Sequence, residues 1–193
     1  MKKFIIILTI LILSANAVLP VGGTEKESNK GDWYRFQLIP EDEDYLDSAD
    51  TRVNYSVVVP VSASDLWKNI NDQQSWTKWF KGLNKCELVT PSPVGLHSKR
   101  IIKVGLLKFY EDIIIWQPER AFGFTILEEN IGLFTRAVEA VYLESIDDDS
   151  TRLIYRAGLE FRGFYKLFIN LIVRELINSW ATSFDELAKI SET

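Results

Sequence analysis

The sequence predicts an α+β domain in which an antiparallel sheet curls around one long terminal helix. Three observations predict it. A β-branched run, Val53–Val59, ends at Pro60 and leads into short helical pieces rich in Trp. From 84 to 162, strand-like segments alternate with turn-forming clusters at hairpin spacing. The last apolar stretch, about Phe164 to Lys189, repeats its polar residues every four positions, which is helical and not strand periodicity. A sheet curled around one helix does not easily fill its own interior, so the same order of elements predicts a pocket.

The chain divides into three parts. Residues 1–17 read as a signal peptide. Lys2 and Lys3 form a positive start, Phe4 to Leu13 an apolar core, and Ala15-Asn16-Ala17 the small-residue pattern of a cleavage site. The expected product is exported, to a periplasm or outside the cell. The alternative is a membrane anchor formed by residues 4–19. Residues 18–50 form an acidic extension. Gly22-Gly23 opens a polar stretch, Glu41-Asp42-Glu43-Asp44 is an acidic run, and Trp33, Tyr34, Phe36, Leu38 and Ile39 make an apolar patch suited to docking on the domain. The domain itself covers 51–193.

Within the domain, Asn54 to Val59 is the first strand. Ser62 is placed to cap a helix, with Asp65 three residues on and Leu66, Trp67 and Ile70 on one face. A second helical piece carries Ser75-Trp76-Thr77-Lys78-Trp79-Phe80 and stops at Gly82. Six more strands are expected near 84–90, 97–105, 107–117, 120–128, 134–146 and 151–162, which makes seven in all. Pro91 to Gly95, Gly105, Gln117-Pro118-Glu119, Asn130 to Gly132 and Asp147 to Ser150 supply the breaks. Three adjacent Asp at 147–149 lack the alternating ligand spacing of a calcium loop and read as a solvated turn. On the last helix Lys166, Asn170, Arg174 and Asn178 mark the wet side. Phe164, Phe168, Leu171, Ile172, Leu176, Trp180, Phe184 and Leu187 mark the buried one.

Composition narrows the function. The chain has 193 residues, 47% of them hydrophobic and 12% aromatic, enough for a sizeable core. Its formal charge is −5, with no run of basic residues, which argues against nucleic acid as a partner. One cysteine and one histidine provide neither an internal disulfide nor a Cys/His metal cluster, and no cofactor is expected.

The order of elements, opening with Val57-Val58-Val59-Pro60-Val61-Ser62-Ala63-Ser64-Asp65-Leu66-Trp67, resembles the START-like helix-grip superfamily. Trp76-Thr77-Lys78-Trp79-Phe80-Lys81-Gly82-Leu83, Glu111 to Arg120 and Ser150-Thr151-Arg152-Leu153 resemble segments of its polyketide cyclase/dehydrase and lipid-transport group, the SRPBCC proteins. The resemblance covers about 52–190. It implies a seven-stranded antiparallel sheet gripping a C-terminal helix, with a hydrophobic ligand cavity between them. It does not imply one activity, because members bind sterols, lipids, quinones, hormones or polyketides and only some are catalysts.

Strand alternation nominates the lining. On 107–115 the apolar phase is Leu107, Phe109, Glu111, Ile113, Ile115, with Glu111 its single charge. On 98–104 it is Ser98, Arg100, Ile102, Val104, which sets Arg100 beside Glu111. An inward Arg–Glu pair is a natural way to keep two charges in an apolar pocket. On 151–161 the apolar phase places Tyr155 and Leu159 inward. Arg100, Glu111 and Tyr155 are therefore expected to orient the polar end of an amphipathic ligand whose body lies against Phe109, Ile113, Leu159, Phe168 and Ile172. The first reading is an exported binder or carrier of a hydrophobic molecule (lipid, isoprenoid or polyketide-like), with transient membrane contact. The second is a cyclase/dehydrase enzyme using Glu111 as a base. The third is an interaction module using the acidic extension. Several convergent acid/base groups in the lining would favour the enzyme, and a lone ion pair the carrier. His97 falls on the charged phase and Cys86 reads as an inert thiol.

Overall fold

A computed structural model describes residues 36–91 and 93–192. The expected leader at 1–17 and the stretch 18–35 lie outside the described residues. The elements run β1 (Phe36–Gln37), α1 (Tyr45–Ser48), β2 (Thr51–Val59), α2 (Ala63–Asn71), α3 (Trp76–Trp79), β3 (Leu83–Leu88), β4 (Lys99–Val104), β5 (Leu107–Gln117), β6 (Ala121–Glu129), β7 (Phe134–Ser145), β8 (Thr151–Phe161), a 3-10 segment (Gly163–Phe168) and α4 (Ile169–Ser191).

Seven antiparallel strands lie in the order β2-β8-β7-β6-β5-β4-β3, and α4 closes the inner face. This is the helix-grip architecture. The helix meets β2, β7 and β8 through buried side chains: Phe184 stacks on Tyr55, and Trp180 reaches Tyr155 and Glu139. Ser62 caps α2 as its position predicts, accepting from Asp65 N at 3.1 Å. Lys166, Asn170, Arg174 and Asn178 are exposed, in agreement with the wet stripe.

Three local expectations need correction. The terminal helix does not begin as an α-helix at Phe164. Its first turn is 3-10, drawn tight where Tyr165 plugs into the core and its hydroxyl donates to Ile131 O at 3.3 Å. His97 is not a strand residue. It sits in the turn before β4 at φ 64°, donating its backbone N–H to Ile113 O at 2.7 Å, with its ring exposed. The sheet also gains an eighth short strand, β1, from the extension.

That strand enters because β6 and β7 part company. They stay in register from Ala121↔Tyr142 to Thr125↔Val138 and then diverge. β1 pairs with the end of β6, Phe36 opposite Glu129. Leu38 N then donates to Leu127 O and Ile39 N to Thr135 O, at 2.9 and 3.0 Å, so the segment satisfies backbone groups on both strands. Further on, Tyr45, Leu46 and Ala49 form a second small core on the outer face with Ile115, Ala121, Val138 and Ala140. Gly158 permits this approach, since a Cβ there would lie 2.6 Å from Tyr45 O. The acidic run is engaged locally: Glu41 pairs with Arg136, Glu43 accepts from the Tyr142 hydroxyl, and Asp47 pairs with Arg156. Arg136 and Tyr142, which share a strand phase, thus face outward.

Candidate ligand-binding site

Between the inner face of β3–β7 and the first half of α4 lies a cavity of about 100 Å³, measured as the space open to the centre of a water molecule. Its walls are mainly apolar: Phe80, Phe109, Phe124 and Phe134 among them, with Ile172 and Leu176 from the helix. Trp76 and Phe80 belong to this wall as well as anchoring α3, while Trp79 is packed beneath and does not line it. Since about 10–15 Å³ on that measure admits one water, the space suits one ring system and not a whole diacyl lipid.

Arg100 and Glu111 are direct partners across β4 and β5, and both line the cavity. Arg100 Nε donates to Glu111 Oε2 at 2.7 Å, and Nη1 donates to Gln73 Oε1 at 2.7 Å. The guanidinium carbon also sits 4.2 Å from the Trp76 ring centre and 4.8 Å from those of Phe122 and Phe124. Side chains at 1% and 3% exposure need this degree of compensation, because a buried charge without partners is very costly. Burial pushes the Glu111 carboxyl up, and Arg100 opposes the shift.

A second carboxyl was not among the expected site residues. Glu139 on β7 is buried and lines the cavity. Its Oε2 accepts from the Tyr155 hydroxyl at 2.8 Å and from Trp180 Nε1 at 3.2 Å. Tyr155 stacks on Trp180, ring centres 4.6 Å apart. Burial raises the Glu139 carboxyl to about 7, with the negative Glu111 adding to the rise and the Tyr155 and Trp180 hydrogen bonds opposing it. The inner wall therefore holds one cation, one carboxylate paired with it, and one carboxyl able to give or take a proton near neutrality.

Of the eight expected lining residues, Arg100, Phe109, Glu111 and Ile172 line the cavity. Ile113 and Leu159 are fully buried in the core and do not line it. Tyr155 lies one layer back, holding Glu139. Phe168 packs on Phe164, ring centres 5.0 Å apart, away from the lining. Glu139 was legible in principle: it shares its strand phase with the buried Ala137, Val141 and Leu143, as Glu111 does with its neighbours. Val138 and Ala140, on the opposite phase, are apolar and buried too, which hid that phase. Cys86 is half-buried on β3, and burial raises its thiol to about 11, so it stays protonated and inert. No cluster of His, Cys, Asp or Glu suited to a metal occurs among the described residues.

The sheet, helix and polar-centred cavity define a START-like helix-grip protein. The chain belongs to the family described as polyketide cyclase / dehydrase and lipid transport, whose model matches residues 50–192. A START superfamily protein from Mycobacterium smegmatis is similar in fold, at 15% identity and a TM-score of 0.62 over 72% of this chain and 97% of that one. The Zhui aromatase/cyclase from Streptomyces sp. R1128 is similar at 13% and 0.59, over 74% and 93%. Norcoclaurine synthase from Thalictrum flavum, solved with a transition-state analogue, is similar at 15% and 0.57, over 73% and 93%. Identities this low show a shared fold. No curated protein matches the sequence.

Proposed function

We propose that this protein binds a compact hydrophobic molecule, an isoprenoid or polyketide-like ring compound, by its polar oxygen. The family binds hydrophobic small molecules or acts as a polyketide cyclase/dehydrase, and one observation selects the mode of binding. Arg100, Glu111 and Glu139 converge on a mainly apolar cavity of about 100 Å³, to which α4 adds Glu175 and Ser179. A purely apolar ligand would meet Arg100, Glu111 and Glu139 in the lining with no polar group of its own. An oxygen on the ligand takes a hydrogen bond from Arg100 or Glu139. The sequence at 2–17 supports export, so the working compartment would be a periplasm or the cell exterior, with the ligand carried there. The acidic run is engaged with the domain's own Arg136, Arg156 and Tyr142, which weakens its reading as a free interaction module.

The second reading is an acid–base catalyst, and Glu139 favours it. A carboxyl raised to about 7 and oriented by Tyr155 and Trp180 suits proton transfer next to a carbonyl, as cyclisation or dehydration requires. Of the two carboxyls it is the better base, since Glu111 is committed to Arg100.

Native mass spectrometry of the chain from an exporting host tests the binding reading. A stoichiometric isoprenoid or polyketide-like passenger, lost in Leu176→Trp, is expected. A protein that carries nothing and takes up no apolar fluorescent probe refutes cavity binding. Turnover of a polyketide-like ketone that disappears in Glu139→Gln while binding persists would select the enzyme.

A further inference from the structure

The cavity has an inner end and a mouth. Arg100, Glu111 and Glu139 are buried at the inner end. The partly exposed lining residues mark the mouth: Phe80, Val104 and Phe109 on one side, Glu175, Leu176 and Ser179 of α4 on the other. The helix packs on β2, β8, α2 and α3, so the opening lies on its other flank, towards the β4–β5 hairpin. Ile172, Glu175, Leu176 and Ser179 follow one another at helical intervals, which puts all four on one face of α4. Glu175 therefore belongs to the mouth through the backbone of the helix and not through a chance bend of its side chain.

The lining is unbalanced in charge. Glu111, Glu139 and Glu175 face a single cation, Arg100. That cation is already met by Glu111 at 2.7 Å, so an incoming carboxylate would have to compete for it. The cations near the mouth stand outside the lining. Arg174, next to Glu175 along the helix, reaches it at 3.3 Å, but both contacts fall on Oε1 and its own side chain is 64% exposed. An exposed pair of this kind is weak and screened by salt. Lys81, which follows Phe80, is exposed and does not line the cavity. Lys103 alternates with the lining residues Ile102 and Val104, and Lys108 with Leu107 and Phe109, so both point to the other face of the sheet.

We infer that Glu175 selects the ligand by charge: the ring compound bound here carries a hydroxyl or a protonated amine at its outer end, and acids are excluded. The inference rests on the cavity-binding reading and adds a second polar end to the ligand. Its inner oxygen lies at Arg100 and Glu139, and its outer donor lies at the mouth. There a hydroxyl or ammonium donates to Glu175, and a hydrogen bond to an ionised group is a strong one. An ammonium also gains from the faces of Phe80 and Phe109 across the opening. A carboxylate in the same place gives up water to face a like charge. Ser179, one turn beyond Glu175, offers a hydroxyl to a neutral ligand.

The test is a fluorescence titration of the full chain, from an exporting host, with three naphthalene probes. They share a two-carbon arm that ends in an ammonium, a hydroxyl or a carboxylate. The first two should bind more tightly than the third, with ammonium favoured over carboxylate by roughly tenfold or more. Glu175→Gln should shrink that ratio and Glu175→Lys should invert it, while Lys81→Gln leaves it as in the parent. Each ratio compares probes on one protein, so a general loss of folded material cancels. Uptake of none of the three refutes cavity binding itself, and this inference falls with it. A parent that binds the carboxylate as tightly as the ammonium, or a Glu175→Lys variant that keeps the parent ratio, overturns the charge selection alone. Uptake that persists in Leu176→Trp would place the probes outside the cavity and overturn it as well.

Discussion

Tyr155 donates its hydroxyl to Glu139 Oε2 at 2.8 Å from the strand beside it, inside the sheet and beneath Trp180. Removing that donor should move the carboxyl's titration. A hydrogen bond to the ionised form lowers a carboxyl pKa. Tyr155→Phe should therefore raise Glu139 above its value of about 7. Carbon-13 NMR of the Glu139 carboxyl reads this directly, and an unchanged or lowered midpoint would contradict it. The same variant should cost about 1–2 kcal/mol of stability for the lost buried bond.

Glu139 also sets a pH dependence of folding. Its folded value, about 7, lies above the ordinary 4.5. The unfolded chain gives up the proton more readily, so ionisation favours unfolding. Stability tied to this group is full below 4.5 and is lost as pH rises through about 7. The loss is roughly 3 kcal/mol by the usual conversion of pKa shifts. Urea unfolding across this window should show the decline in the parent and a flatter profile in Glu139→Gln. Parallel profiles would refute the assignment.

Arg100→Met should be among the most damaging single changes. It leaves Glu111 buried at 3% exposure without its cation. Breaking one partner of a buried pair costs about 3–5 kcal/mol. Glu111→Gln added to it should restore much of the loss, because the stranded charge is then gone. A double variant no more stable than Arg100→Met alone would mean that Trp76, Phe122 and Phe124 hold the site without need of the pair.

Gly158→Ala should release the extension. The new methyl would meet Tyr45 O at 2.6 Å and the Ala49 methyl at 3.1 Å. Both belong to the segment across the outer face, which has fewer contacts than the sheet and gives way first. A loss of about 1–3 kcal/mol is expected. Hydrogen exchange should quicken at Tyr45–Ala49 while β6–β8 stay protected. Unchanged exchange there would show that the segment accommodates the methyl.

Much of the fold was legible because its cues are local. Turn residues at 105, 117–119, 130–132 and 147–150 break the chain close to where the strands end, and the stripe of Lys166, Asn170, Arg174 and Asn178 marks the wet side of α4. The Arg100–Glu111 pair was legible for the same reason: one hairpin with Gly105 at its turn sets its own register. Glu139 was not, because Val138 to Val141 is buried on both faces once Tyr45, Leu46 and Ala49 cover the outer one. A strand covered on both sides loses the alternation that identifies an inward charge.

The sequence by itself determined the seven long strands, the single long helix, the inward Arg–Glu hairpin and the family, since these depend on residues near one another in the chain. Tertiary structure alone decided three things. It brought Glu139 together with Tyr155 and Trp180, 16 and 41 residues away along the chain. It seated the extension in the gap where β6 and β7 diverge. It set Glu175 of α4 at a mouth shared with Phe80, Val104 and Phe109. Each depends on pairing or packing between distant segments, and local propensity carries no record of which distant residues will meet.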